Sequence, residues 1–458
     1  MAEGILAQIE ASKRADLAAS FEGVTLDALR NQAKPTARAL GETLAKPGSR
    51  FILEIKRGSP SGGSIRPAAD VAALARGYAG VADALSVLTE RRHFGGSFDD
   101  LRQARRHFDG PILAKDFFLD PRQVVEARIA GADAILVMLS MVDDETARLL
   151  VDEARRFGMD ALVEVHDEAQ MRRANALGAQ VIGINNRDLR DLSIDLGTTE
   201  RLAALAGGRV LVSESGIFSR TDVDRLAAHV DAFLIGTSLM RAADPAEAAR
   251  ELVFGRVKLC GLRRPEDLAA AAPATHIGLV FVPESPRSLS LGDALRLEGG
   301  MQKRVGIFRN APVDEVAETA AMLGLDAVQL HGDEGPDTIR ALARRLLPGC
   351  EIWKAMPVDG STPADFDGAD RLLFDSGPGG TGRTFDWSAI AGHPRLSESL
   401  VAGGIGPANA AAARALGAYA IDVGSALDDA PGTKSPEKIA ALFDSLRTPS
   451  RQELSLCA

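Results

Sequence analysis

Two hydrophobic periods alternate along the chain. Short runs that are apolar at nearly every position recur at 50–56, 83–90, 111–117, 134–139, 160–166, 181–187, 210–215 and 232–238. Between them, apolar residues return every three or four positions among Ala, Arg and Glu, as in PRQVVEARIAGA and DDETARLLVDEARRFG. The first pattern predicts strands covered on both faces, and the second predicts amphipathic helices. Such alternation implies a parallel sheet with right-handed crossovers, and eight repeats close a (β/α)8 barrel. Residues 1–45 precede the first strand and carry a helical pattern, so this barrel is expected to have an N-terminal helical extension.

The series then restarts. A second set of runs occupies 256–261, 276–282, 303–310, 327–332, 351–358, 371–378, 399–405 and 420–426. The predicted fold class is α/β, with two tandem (β/α)8 TIM barrels. The first domain is expected over 1–254 and the second over 255–447, with 448–458 as a frayed, disordered tail.

A glycine spacing runs through both halves. Gly216 in SESGI precedes Gly236 in LIGTS by twenty residues, and Gly404 in AGGI precedes Gly424 in DVGS by the same distance. Each pair falls at the ends of the last two strands of a series. There a barrel presents backbone N–H groups to a phosphate. Tight turns alone would also use glycine.

Polar residues interrupt strands that should be apolar. Glu54 and Lys56 are two residues apart at the end of the first strand, so both side chains point one way. Lys115 ends the third strand, Glu164 the fifth, Asn185 the sixth with Arg187 just beyond, and Glu214 and Ser215 the seventh. Ionisable groups gathered at the C-terminal ends of barrel strands suit acid–base chemistry at a carbonyl, although an ion-pair network is the plain alternative. The loop RGSPSGGS after the first strand is either a closing lid or an ordinary turn. In the second half, Cys260 ends the first strand and Asp375 the sixth, a thiol and a carboxylic acid suited to isomerisation. Arg287 offers a clamp for an anion. His331 reads as a hydrogen-bonding residue at a strand end, and Gly380 and Gly382 lie in the glycine-dense GPGGTG.

Composition narrows the classes. The 458 residues are 46% hydrophobic and 25% charged, an ordinary globular balance. A formal net charge of -10 and 5% aromatics speak against nucleic acid or an anionic membrane as partner. No apolar run reaches the ~20 residues of a membrane span. Cys260, Cys350 and Cys457 lie far apart, and the seven histidines lack ligand spacing. Neither a disulfide framework nor a metal centre is therefore expected, and a reducing cytoplasm is.

These motifs carry a resemblance over nearly the whole chain. FILEIKRGSPSGG, SVLTERRHFGGSFDDL, PILAKDFF, LVEVH, IGINNRDL, SESGI and FLIGTSLM are similar, in order, to the indole-3-glycerol-phosphate synthase family. KLCGLRRPEDL, SPRS, VGIF, VQLHGDE, FDSGPGGTGRTFDW, AGGIGPANA and IDVGSALDDAPG resemble the phosphoribosylanthranilate isomerase family. Together the halves resemble the fused bifunctional enzymes of tryptophan biosynthesis.

The resemblance implies two consecutive reactions on phosphorylated small molecules, with no cofactor and no metal; as a fusion of two barrels the chain is expected to work as a monomer. In the isomerase half it makes Asp375 the general acid, Cys260 the base and Arg287 the group that orients the anthranilate end. Gly380, Gly382, Gly404, Gly424 and Ser425 would hold the phosphate. In the synthase half it makes Lys115 the general acid and Glu164 the second acid–base group. Glu54 and Lys56 would hold the substrate carboxylate, and Asn185, Glu214 and Ser215 the intermediate. Arg187 joins the substrate-binding set, and Ser59, Gly216, Gly236 and Thr237 fall at phosphate positions.

Three positions depart from the pattern. Gly58 stands where Ala is expected, Gly424 replaces the first of two serines, and Ser435 stands where an acid usually follows the lysine. Two rivals keep the barrels. One is a barrel enzyme for another sugar phosphate, which would typically place paired aspartates at strand ends. The other is a phosphate-binding scaffold with one inactive barrel.

Overall fold

The computed structural model describes residues 2–59, 63–188, 190–297, 300–377 and 382–456. It divides into two units, 1–249 with 448–458, and 250–447.

In the first unit, eight parallel strands close into a barrel. They are β1 (Arg50–Ile55), β2 (Ala84–Leu88), β3 (Ile112–Lys115), β4 (Ala134–Met138), β5 (Asp160–Val165), β6 (Val181–Asn185), β7 (Val210–Glu214) and β8 (Ala232–Ile235). Each strand pairs with its sequence neighbours, and β1 closes the ring against β8 through Arg50–Ala232 to Leu53–Ile235. The inward-facing Ile52, Ala84, Leu113, Ala134, Leu162, Val212 and Ala232 fill the barrel as one buried cluster. The amphipathic crossover helices cover the outside. The helix Asp144–Arg156 buries Ala147, Leu150, Val151 and Ala154 and turns its arginines outward.

The expected N-terminal extension is helical and works at both ends of the barrel. The helix Leu40–Leu44 inserts Leu40 and Leu44 into the cluster, while Gly41 N donates to Asp160 Oδ2 at the start of β5. The helix Ala2–Ser20 brings Ile9 onto Phe117, Leu136 and Met138 at the strands' C-terminal ends. Lys13 Nζ fixes it there, 2.6 Å from Asp116 Oδ1.

The last segment corrects an expectation. The described residues from Thr448 do not fray: Arg451–Leu456 is a helix belonging to the first unit. Thr448 O accepts Ser49 N at 2.8 Å, Arg451 Nη2 reaches Asp231 Oδ2 at 2.9 Å, and Gly48 N donates to Glu453 Oε2. The polar residues of TPSRQEL that suggested fraying are the ones making these bonds.

The second unit closes its own parallel barrel from β9 (Val257–Cys260), β10 (His276–Val280), β11 (Lys303–Phe308), β12 (Ala327–Leu330), β13 (Glu351–Pro357), β14 (Arg371–Asp375), β15 (Leu400–Val401) and β16 (Ala420–Val423). Val305, Ala327, Trp353, Ala355, Leu373, Leu400, Ala402 and Ala420 form its core. Among the described residues no helix is long and apolar enough to cross a membrane.

Candidate active sites

The polar residues of the first barrel stand one inward position beyond its apolar layer. Two residues past Ile52, Ala84, Leu113, Leu162 and Val212 come Glu54, Ser86, Lys115, Glu164 and Glu214. The two-residue strand period therefore lifts these side chains into the mouth. Glu54, Lys56, Lys115, Glu164, Asn185, Arg187, Glu214, Ser215, Gly216, Gly236 and Thr237 all line one cavity. Of the candidates in this half, only Ser59 is left out. Its backbone lies in a hairpin and its side chain falls outside the described residues.

Lys115 is the hub. Its Nζ lies 2.6 Å from Glu214 Oε2 and 3.7 Å from Glu54 Oε2. Lys56 Nζ holds the other Glu54 oxygen at 2.6 Å. Burial opposes charge on Lys115, but the carboxylates of Glu214, Glu54 and Glu164 outweigh it and hold the ammonium above the ordinary lysine range. Burial likewise works against the Glu54 carboxylate, and the two lysines more than offset it, so Glu54 sits below the usual carboxylate range. Glu214 is different: burial raises it, Lys115 only partly compensates, Glu164 adds repulsion, and it is pushed up to about 7. Oε1 of Glu164, 3.4 Å from His166 Nε2, and Oε1 of Glu214 are buried without a hydrogen bond. Orphaned acceptors of this kind are costly unless a ligand completes them.

Two glycines make the constellation possible. A Cβ at Gly236 would fall 2.4 Å from Glu54 Oε1, and one at Gly183 would fall 2.1 Å from Glu214 Oε1. After β7 the chain turns through Ser215, a non-glycine residue at φ 65°. Buried Asn186 holds that turn: its Nδ2 donates to Ser213 Oγ and Ser215 O, and its Oδ1 accepts from Thr199.

Sequence reasoning missed Gly183 and Asn186. It also missed the apolar residues Leu6, Ile9, Phe94, Phe117 and Phe218 that line the same cavity as the charges. The alternation of polar with apolar strand positions could have shown Gly183, whereas these apolar residues come from helices and loops whose pattern gives no such sign.

The loop after β1 forms a short hairpin, Gly58–Ser59 with Gly63–Ser64, whose tip lies outside the described residues. A Cβ on Gly58 would come 2.8 Å from Gly63 O, which accounts for glycine rather than alanine there.

The second barrel gathers its candidates in the same way. Cys260, Arg287, Asp375, Gly382, Gly404, Gly424 and Ser425 line one cavity, and Gly380 lies outside the described residues. Asp375 Oδ1 accepts Ser376 N at 2.7 Å, and its Oδ2 lies 3.5 Å from His331 Nε2. His331 is thus more than a strand-end hydrogen bonder: it faces Asp375 inside the cavity, with Gln329 on its Nδ1 at 3.0 Å. The Arg287 guanidinium donates from Nε and Nη2 to Asp428 Oδ2, at 2.9 and 2.7 Å. Its stem passes over Gly261, where a Cβ would come within 2.4 Å of Arg287 Cδ.

Of the two departures in this half, Gly424 leaves open space, since a Cβ would meet only Cys260 Cβ at 3.9 Å. Ser435 caps the helix Pro436–Ser445, its Oγ accepting Lys438 N. Among the described residues no group of three or more His, Cys, Asp or Glu is arranged to hold a metal ion.

Comparison with known proteins finds a known family in each half. Residues 6–252 match the family model of indole-3-glycerol phosphate synthase, and residues 257–445 match that of N-(5'-phosphoribosyl)anthranilate isomerase. The tryptophan biosynthesis protein TrpCF of Salmonella typhi is 42% identical over 97% of this chain and 99% of its own. That of Yersinia pestis is 42% identical over 97% of this chain and 94% of its own. The solved phosphoribosyl anthranilate isomerase of Thermus thermophilus aligns with 42% of this chain and 98% of its own, at 33% identity and a TM-score of 0.38. The chain belongs to the family of bifunctional tryptophan-biosynthesis enzymes that join an indole-3-glycerol phosphate synthase to a phosphoribosylanthranilate isomerase.

Proposed function

We propose that the two reactions run in separate cavities, one per barrel, each by proton transfer between side chains of that barrel. The observation that carries this reading is the Lys115 ammonium bracketed by Glu54 and Glu214, beside a buried Glu164 oxygen that takes no hydrogen bond and lies 3.4 Å from His166 Nε2.

In the second barrel, Asp375 protonates the furanose ring oxygen of phosphoribosylanthranilate and the ring opens. Cys260 removes the C2′ proton, and the resulting enolamine relaxes to the aminoketone. Arg287, steadied by Asp428, orients the anthranilate carboxylate. Gly380, Gly382, Gly404 and Gly424, with Ser425, hold the phosphate, the glycine turns at Gly382 and Gly404 offering it backbone N–H groups.

In the first barrel that ketone is the substrate. Its aromatic ring lies on the apolar residues of the cavity, and Lys56 with Glu54 orients its carboxylate. Lys115 donates to the carbonyl oxygen as the ring carbon attacks, a role supported by the carboxylates that keep it charged. Loss of CO2 restores the aromatic system. Glu164 then serves the dehydration, while Asn185, Arg187, Glu214 and Ser215 hold the intermediate. Ser59, Gly216, Gly236 and Thr237 surround the phosphate. Each cavity draws its lining from one unit, which supports action as a monomer, and we place the enzyme in the cytoplasm.

The test is one incubation of the purified chain with fresh phosphoribosylanthranilate in the presence of EDTA. Loss of substrate fluorescence with appearance of indoleglycerol phosphate is the expected result. Accumulation of the ketone would overturn the roles assigned in the first barrel, and no change would overturn those in the second.

A further inference from the structure

Beneath Cys260 lies a buried charge pair that the roles above leave unused. Lys258 precedes Cys260 by two residues on β9, so both side chains enter the barrel. Lys258 is fully buried, and its Nζ donates to Asp422 Oδ2 at 2.9 Å. The ammonium lies close enough to the Cys260 side chain to favour its anion. Asp422 stands directly opposite Lys258 in the β9–β16 ladder. Its second oxygen, Oδ1, is buried with no partner, and the residue lines the same cavity as Cys260.

A buried ion pair is a poor device for stability alone, because apolar residues of similar size usually do as well. This pair also sits against the one thiol in the cavity. We propose that Lys258 and Asp422 are positioning residues for the isomerisation, an opposed cation and anion that set the protonation state and aim of the Cys260 sulfur. The proposal rests on Cys260 acting as the base.

The physical argument follows from charge. A cysteine takes a carbon-bound proton only as the thiolate. Burial disfavours the thiolate and pushes the Cys260 thiol up, while the Lys258 ammonium favours the anion and the Asp422 carboxylate opposes it. When the sulfur gains the C2′ proton, Lys258 stays paired with Asp422, so no isolated charge is left buried. Other charged or titratable groups lie around the site. Lys434 donates to Gly424 O and Asp428 Oδ1, Arg287 is bound to Asp428, and His331 and Asp375 share the cavity. All of them remain in the variants below.

The test uses the full chain with Cys350→Ser and Cys457→Ser, so that iodoacetamide reports Cys260 alone, read by mass spectrometry across the thiol range. Lys258→Met should slow alkylation at neutral pH by about tenfold or more, the effect of one pKa unit, and move its pH profile to the alkaline side. Asp422→Asn should do the opposite, and Lys258→Arg should restore most of the rate. The acid limb of isomerase kcat/KM should shift with each profile, while synthase activity of the same molecules stays unchanged. A merely structural pair would give no such opposite shifts. Profiles that move in the same direction, or do not move, overturn the proposal. Retention of isomerase activity after complete alkylation would instead overturn Cys260 as the base.

Discussion

Lys115 Nζ and Glu214 Oε2 meet at 2.6 Å across the mouth of the first barrel, although 99 positions separate them in the chain. Strands β3 and β7 are not neighbours in the ring, so only closure of the barrel brings the two together. Their pairing keeps an ammonium charged in a buried place, the group proposed above as the acid at the carbonyl.

Removal of that acid should silence one reaction only. In Lys115→Ala, indoleglycerol phosphate formation should fall by at least the roughly hundredfold typical of a lost acid–base group. Isomerisation should continue at its normal rate. Measuring both rates on one preparation checks this, and parallel loss of both would contradict separate sites.

Glu214 gives a pH prediction. Its value in the folded protein, about 7, lies above the 4.5 of a free glutamate. The acid limb of synthase kcat/KM should therefore carry an apparent pKa near 7, because protonated Glu214 no longer accepts from the Lys115 ammonium as a carboxylate. Glu214→Gln should flatten that limb. Stability has its own sign: a raised carboxyl contributes below its unfolded pKa and loses that contribution as pH rises through the folded value. The melting temperature of Glu214→Gln relative to the native chain should thus improve on going from mildly acid to alkaline pH.

The C-terminal helix Arg451–Leu456 should matter to the first barrel. Asp231 is 2% exposed, and Arg451 supplies its ionic partner. Arg451→Met should cost on the order of 2 kcal/mol, a hydrogen bond to a buried charge. In a unit of this size that lowers the melting temperature by several degrees. Thermal inactivation of synthase activity reads the effect. A chain ending at Arg447 should lose more, since it also lacks the Ser49–Thr448 and Gly48–Glu453 bonds.

Much of this was legible in the chain itself. Sixteen apolar runs became sixteen barrel strands, because a strand covered on both faces has no polar alternation to blur its limits. The acids and bases were legible for the same reason: Glu54, Lys115, Glu164 and Glu214 break runs that are otherwise apolar. What stayed hidden depends on contacts between distant segments. The Arg451–Asp231 pair joins positions 220 apart, and TPSRQEL by itself has the composition of a free end. The Lys13–Asp116 bridge that seats the first helix is likewise invisible until the barrel closes. Arg287 stood out as a clamp, but nothing in SPRS points to its partner Asp428.

Gly183 offers the most pointed test, since it carries no chemistry of its own. It lies inward on β6, level with Glu164 of β5 and Val212 of β7 in the parallel register. An ideal Cβ there would sit 2.1 Å from Glu214 Oε1, far inside any contact that real atoms make. Gly183→Ala must therefore push the Glu214 carboxylate aside and lengthen its bond to Lys115. The barrel should still close, because the atoms a methyl group would meet, those of Glu214 and Leu162 Cδ1 at 3.3 Å, belong to side chains and not to the backbone. Synthase kcat should fall markedly while isomerase kcat is untouched. The pKa near 7 in the synthase profile should also move, since the Lys115 ammonium that partly offsets burial of Glu214 would then be farther away. Gly236→Ala, which meets Glu54 Oε1 at 2.4 Å, should harm substrate binding through the Glu54–Lys56 pair instead. A Gly183→Ala enzyme with native synthase kinetics would mean that Glu214 tolerates displacement, and that its contact with Lys115 is not what keeps the acid in place.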